Sequence, residues 1–454
     1  MTLSIRRYSD SQMRHLPRAT HWWGLIEWTC MLLIAPFLLF ATPTRALLLL
    51  VILALWILRR LILGHFVPGT PVNVIVLALM IMGGVGFCVS PNPAWSQLKI
   101  DALLLGVGFL YATVDLLEPA GRLRWVPAGV IALGLGFLGL GLLGTRWGLK
   151  IPQLTALMAR LPGEIGWLPE GETFFNPNVI GGALLWVLPL SLSLLAWAVR
   201  GGKYKWWWTV ADGLTTVLCL GLLLLTQARG AWLGFVASLL ALLVAAGGRL
   251  GRIGAILILA ALLVLVAVGS PALRRVVQVD PGSARILSTV SMEQRLEIWS
   301  RAQYAIADFP FTGPGLDAFQ YVMPVMYPLF QVPPGILVPL AHNEFLQVAL
   351  DLGLPGLVAW LALYIIAFWM LWWTYRRSPD GLTQALVLGS GGALIAHLVY
   401  AMTDCGVLDA KPNIVFWMIV GLSVTLYRAA LLNLTFCSPR LQFEPVHATE
   451  KQGG

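Results

Sequence analysis

The chain has 454 residues, of which 58% are hydrophobic and a further 46 are glycine, against roughly 45–50% for the two classes together in soluble domains. Only 11% are charged and mean hydropathy is +0.80, where an ordinary soluble chain has about 25% charged residues. A surface so poor in charge cannot face water throughout. That excludes a soluble multidomain protein, a disordered chain and a disulfide scaffold, and leaves a polytopic membrane protein.

Met1 to His21 is polar and basic, and the apolar run after it is long enough to span, so a membrane helix rather than a cleaved signal is expected there. Crossing a bilayer takes about 20 mostly apolar residues as helix, because lipid cannot satisfy open backbone groups. In chain order such runs fall at 22–41, 45–63, 72–90, 98–116, 125–144, 178–199, 207–226, 231–247, 252–269, 354–374, 382–402 and 412–432. The expected fold is therefore all-α with about twelve transmembrane helices. Asp101 and Asp115 interrupt the fourth run. The expected organisation is 1–144 for helices one to five, 145–177 for a first outer loop and 178–269 for helices six to nine. A large, partly helical outer loop at 270–353, helices ten to twelve at 354–432 and a tail at 433–454 complete it.

Twelve crossings put both termini on one side. The segments on that side carry 18 of the 30 lysines and arginines. Five of the remaining 12 lie in the single loop 270–353, and long loops cross regardless of charge. Both termini are therefore expected inside. The formal charge of +9 is accounted for by topology, with no nucleic-acid partner. Cys30, Cys88, Cys219, Cys405 and Cys437 are too scattered to suggest a disulfide or a metal site.

The chemistry-bearing groups gather on the outer side. Glu164, Glu170 and Glu172 in the first outer loop have the reach to meet an extended sugar, though their spacing identifies nothing. Arg229 stands in Thr226-Gln227-Ala228-Arg229-Gly230-Ala231-Trp232, a tight turn between two spans. It either snorkels to the interface or grips a phosphate with its planar fork. In the long loop, Ser291-Met292-Glu293-Gln294 fits a capping box, and a helix should run to about Asp308. Glu297 and Arg301 lie four apart in the order that favours an ion pair. Arg295 has two readings, a pair with Glu293 or Glu297, or a ligand contact. Gly313-Pro314-Gly315 follows no strand and reads as a turn. His342 precedes Asn343, a good N-cap, in Ala341-His342-Asn343-Glu344-Phe345-Leu346-Gln347. The positive end of the following helix disfavours imidazolium, which suits a general base; a simple capping contact is the other reading. His397 reads as a packing residue. Glu27, Asp101, Asp115 and Asp212, inside apolar runs, either serve an ion pathway or pair internally. No His/Cys/carboxylate spacing for a metal, no P-loop and no Gly-x-Ser-x-Gly elbow is present in the sequence.

Several pieces occur in order: Phe175-Asn176-Pro177-Asn178, then Ala228-Arg229-Gly230-Ala231-Trp232-Leu233-Gly234, then Arg295-Leu296-Glu297-Ile298-Trp299 followed by Gly313-Pro314-Gly315. His342-Asn343-Glu344-Phe345-Leu346-Gln347 and Leu352-Gly353-Leu354-Pro355-Gly356-Leu357 complete the set. With this set the chain resembles the O-antigen ligase and polymerase superfamily of bacterial membrane glycosyltransferases over about 175–375. The first five helices match only as hydrophobic spans.

The resemblance implies a GT-C-like enzyme of the inner membrane with its active site on the periplasmic face, using no cofactor and no metal. The donor it implies is a glycan on undecaprenyl diphosphate. In the ligase branch the acceptor is lipid A–core or another surface glycan; in the polymerase branch it is another lipid-linked repeat unit. Protein O-glycosylating relatives use a serine or threonine hydroxyl. Carried onto this sequence, Arg229 and Arg295 hold the diphosphate and His342 is catalytic, with Asn176, Asn178, Asn343 and Glu344 as substrate contacts. The ligase branch is the first reading. The non-enzymatic rival is a transporter of lipid-linked glycan, which would concentrate its polar groups across the membrane centre rather than on one face.

Overall fold

The computed structural model describes residues 18–39, 45–118, 120–145, 147, 158, 160–161, 175–202, 206–260, 292–332, 338–405 and 413–437. Among these the chain is helical, with one isolated bridge between Thr145 and Phe175. In order come α1 (Arg18–Leu39), α2 (Arg45–Leu63), α3 (Asn73–Val89), α4 (Pro93–Leu117), a 3₁₀ turn (Ala120–Trp125) and α5 (Val126–Gly144). Then follow α6 (Pro177–Val199), α7 (Trp206–Thr226) and α8 (Arg229–Ala246). Next are α9 (Met292–Asp308) and α10 (Phe319–Met326), before α11 (Glu344–Arg377), α12 (Gly381–Ala401) and α13 (Asn413–Cys437). Residues 248–260 are also helical; the rest of the run at 252–269 lies outside the described residues.

Local chemistry starts these helices where the sequence places its caps. Asn92 accepts from the Ala94 N–H with Pro93 opening α4. Asn176 accepts from the Asn178 N–H with Pro177 opening α6. Asn343 caps α11 through the Leu346 N–H, and Asp380 caps α12 through Thr383. Each such side chain satisfies a donor that the first helical turn leaves open.

Eight helices among the described residues are long and apolar enough to cross a membrane: α4, 122–144, α6, α7, α8, α11, α12 and 413–432. Trp22–Leu38 and Asn73–Val89 are shorter apolar helices. Helices α4 and α6 are mostly enclosed by their neighbours, whereas 122–144 and α8 show most of their apolar surface. On α7, Val210, Leu214, Val217 and Leu224 form one exposed stripe. Apolar faces of this kind are stable against lipid. Helix α12 packs against α6 and α8, while α4 packs against α13 and α1. Helix α11 ties the two groups together through contacts with α3, α12 and α13.

The segment holding α9 and α10 docks on this bundle through its glycines. Gly313 has φ +66°, and a Cβ there would lie 1.8 Å from the Leu350 carbonyl oxygen. The Gly313-Pro314-Gly315 turn thus seats its backbone directly on α11. Leu316 donates to the Gly86 carbonyl of α3 at 2.8 Å. Gly353, at φ +67° and ψ 177°, breaks α11 into a short first helix and a long second one. The Leu354 N–H there meets the Pro310 carbonyl at 2.8 Å. The expected Glu297–Arg301 ion pair is replaced by backbone contacts. The Glu297 carboxylate accepts from the Phe330 and Gln331 N–H groups, and Arg301 Nε donates to the Pro328 carbonyl. A loop folded over α9 offers both side chains better-placed partners than an exposed i,i+4 pair supplies. Gln294 donates to the Gln331 carbonyl; Ser291, the other half of the expected capping box, lies outside the described residues.

The acids inside apolar runs pair internally. Asp212 accepts from Ser191, and Gln97 donates to Asp101. Glu27 on α1 and Asp115 on α4 both bind the guanidinium of Arg59 on α2, which is fully buried. His397 is buried and stacks on Trp186 at 4.0 Å between ring centroids. Removing one member of a buried ion cluster leaves the others uncompensated and costs about 3–5 kcal/mol. Arg59→Met should therefore sharply lower the unfolding temperature of the purified protein in detergent. Adding Glu27→Gln and Asp115→Asn should restore most of it; an unchanged unfolding temperature in Arg59→Met would show that the cluster contributes nothing.

Candidate active site

Helix α12 ends at Ala401, and the four residues after it, Met402 to Cys405, collect most of the polar side chains singled out in the sequence. Asp404 is the centre. One carboxylate oxygen lies 3.4 Å from Nδ1 of His342, and the other accepts from Asn178 Nδ2 at 2.9 Å. Tyr400 donates its hydroxyl to the Asn178 carbonyl at 2.8 Å, which fixes the first turn of α6 against the end of α12. Asn343 Nδ2 reaches the Met402 carbonyl at 3.4 Å.

Arg295 and the start of α8, which begins at Arg229, meet the same segment. Arg295 on α9 donates from Nη1 to the Thr403 carbonyl at 2.8 Å, and its buried Nε is left without a hydrogen-bond partner. It follows neither Glu293 nor Glu297. Arg229 opens α8, with its side chain exposed. The turn before it is tight: Gln227 sits at φ +51° and the Ala228 N–H donates to Thr226 Oγ1. Gly230 then packs on Thr403, where a Cβ would fall 2.0 Å from Oγ1. Only glycine lets the start of α8 come this close to the end of α12. The arrangement sets the Arg295 guanidinium and the N-terminus of α8, both favourable to an anion, beside Thr403–Asp404, where His342 also meets Asp404.

His342 is partly buried and has φ +49°, the left-handed region that β-carbon residues seldom occupy. A strained backbone of this kind persists only where neighbours enforce it. With its Nδ1–H directed at Asp404, the imidazole keeps Nε2 as a proton acceptor. Burial pushes the Asp404 carboxyl up. The hydrogen bond and charge of His342, the Cys405 N–H and Arg295 outweigh burial and hold it below the usual carboxylate value. Glu344 is almost fully buried in the first turn of α11. Asn176 acts through its cap on α6. Glu164, Glu170 and Glu172 lie outside the described residues.

Asp404 is the residue that reading the sequence passed over. Its signal was modest but present: an acid just past the eleventh apolar run, on the side where His342 emerges. Among the described residues no three His, Cys, Asp or Glu side chains gather as a metal cage would require.

The linkage of Asp404 has a definite sign. A carboxylate whose pKa is depressed in the folded state stabilises the fold above its unfolded value of about 3.9, and the contribution is lost as pH falls through the folded value. Asp404→Asn should thus unfold at a lower temperature than the native protein between about pH 5 and 8. The gap should close below about pH 4. A gap that widens in acid would reverse the assignment.

Residues 214–361 match the family described as O-Antigen ligase. The chain is also similar to an O-antigen ligase of Pseudomonas aeruginosa, 27% identical over 146 residues, which is 32% of each chain. The chain thus spans about a third of that relative's length in the match. Arg229, Arg295 and His342 fall within 214–361, whereas Asn176, Asn178 and Asp404 do not.

Proposed function

We propose that this chain is a membrane glycosyltransferase of the O-antigen ligase type, moving a glycan from undecaprenyl diphosphate to a sugar hydroxyl of lipid A–core or an equivalent surface acceptor; the match of residues 214–361 to the family described as O-Antigen ligase supports this reading. The observation that carries this reading is the convergence of His342, Arg295 and the start of α8 on Thr403–Asp404. The eight long apolar helices together with α1, α2, α3 and 252–269 make up the proposed twelve crossings of a GT-C-like enzyme. Both termini lie in the cytoplasm and the site faces the periplasm across the inner membrane.

Arg229 and Arg295 bind the donor's diphosphate, assisted by the positive end of α8. The acceptor hydroxyl attacks the anomeric carbon as the bond from that carbon to the diphosphate oxygen breaks. Nε2 of His342 takes the hydroxyl proton, and Asp404 stabilises the imidazolium formed, as the acid of a catalytic triad does. The two arginines meet the charge that develops on the leaving diphosphate, so the step calls on no metal. Attack opposite the leaving group inverts the anomeric centre. The imidazolium then releases its proton to water.

Reconstitution of the purified protein with lipid-linked glycan and acceptor tests this. His342→Ala should lose turnover by roughly 10²–10⁴-fold while still binding donor. Arg229→Ala and Arg295→Ala should lose donor binding as well as transfer, with lysine restoring little because it has no planar fork. Arg301→Ala, whose side chain meets the Pro328 carbonyl, should do much less. Glycan carried across the bilayer with none joined to acceptor would make the protein a transporter. Products consisting of lengthened lipid-linked repeats would move it to the polymerase branch.

A further inference from the structure

The strained backbone of His342 needs something to hold it, and a chain of buried polar contacts leads away from it into the membrane bundle. The backbone of Ala341, the residue before the histidine, is fixed at both its polar groups. Its Ala341 carbonyl accepts from the Trp299 indole at 2.9 Å, and the Ala341 N–H donates to Gln347 Oε1 at 2.9 Å. Gln347 is 1% exposed, and its amide nitrogen donates to Asp351 Oδ2 at 3.1 Å. Asp351 is fully buried and is bound by Lys99 Nζ at 2.7 Å. Lys99, on α4, also pairs with Asp317 at 3.1 Å, and the Asp317 N–H donates to the other Asp351 oxygen at 3.0 Å.

The order of these contacts is chemically directed. A carboxylate only accepts, so Asp351 turns the amino end of the Gln347 amide toward itself and leaves the carbonyl end for the Ala341 N–H. Were the amide reversed, two donors would face each other at Ala341. Lys99 pairs with Asp351 in a buried setting where a carboxylate without a partner would be costly. Asp317, in the left-handed region at φ +58°, brings the outer loop into the same cluster. Lys99 lies more than a hundred residues before the segment that matches the ligase family.

We propose that Lys99, Asp351 and Gln347 are positioning residues for His342, a relay by which helix α4 sets the backbone twist that aims the imidazole at Asp404. The relay rests on the reading of His342 as the base. It gives the N-terminal bundle a part in catalysis beyond anchoring the protein.

The test uses Gln347→Met, a substitution of similar size that removes the relay without leaving a new charge. Its unfolding temperature is measured beside that of Lys99→Met and Lys99→Arg, each in the full-length reconstituted enzyme. Gln347→Met should lower kcat by about 10–100-fold, the scale of a small misplacement of a reacting group, with the donor KM nearly unchanged. Lys99→Met should do the same, and Lys99→Arg should recover most of the rate because it keeps the cation. The deciding readout is a double-mutant cycle. In a His342→Ala background, followed by prolonged single-turnover transfer, Gln347→Met should cause no further loss. A full additional loss there would assign Gln347 a general structural role and overturn the relay, as would a native kcat in Gln347→Met. Native turnover in His342→Ala would instead overturn the reading of the base, and the relay with it.

Discussion

A carboxylate enclosed by protein must be met by donors on all sides, and Asp404 imposes that demand just past the end of α12. Its partners come from distant parts of the chain: Asn178 at the start of α6 and His342 ahead of α11. Arg295 from α9 contributes its charge and binds the neighbouring carbonyl of Thr403. None of these elements could drift from the end of α12 without leaving a buried charge exposed to apolar surroundings, which is the costly state. The same requirement that stabilises the fold therefore assembles the groups a transfer reaction needs.

The membrane bundle provides the rigidity behind this arrangement. Close approach at glycine recurs at the joints: Gly230 on Thr403, Gly234 on the Ala396 carbonyl and Gly313 on the Leu350 carbonyl. The first two press α8 onto α12, and the third presses the turn between α9 and α10 onto α11. Contacts this short leave no room for sliding, because packed interiors yield little before they must reorganise. The site around Asp404 can then hold its geometry even though the lipid around the bundle is fluid.

Much of the architecture was legible in the sequence for physical reasons. Long apolar runs and local start and stop signals mark helices directly: α2 (Arg45–Leu63) coincides with the run at 45–63, and α9 (Met292–Asp308) ends at the Asp308 the sequence indicates. Local spacing misled where a long-range partner won. Glu297 and Arg301 are suitably spaced for an ion pair, but the 328–331 backbone takes both. His342 was visible from its place before a capped helix, and Arg295 only as a residue with two open readings. Asp404 stood out only as an acid just past an apolar run, and the Lys99–Asp351 pair not at all, because their partners lie tens to hundreds of residues away and nothing in local periodicity encodes such meetings. The acids at Glu27 and Asp115 were conspicuous, yet their shared partner Arg59 emerges only once α1, α2 and α4 are packed.

The central claim is that one anion site lies between Arg229 and Arg295, beside His342. A structure of the reconstituted protein holding a non-transferable phosphonate analogue of polyprenyl diphosphate tests it most directly. The account predicts the diphosphate group in contact with both guanidinium groups, within reach of the start of α8, with the His342 imidazole facing the linked sugar. Diphosphate density elsewhere, with Arg229 and Arg295 both turned away from it, would contradict the account.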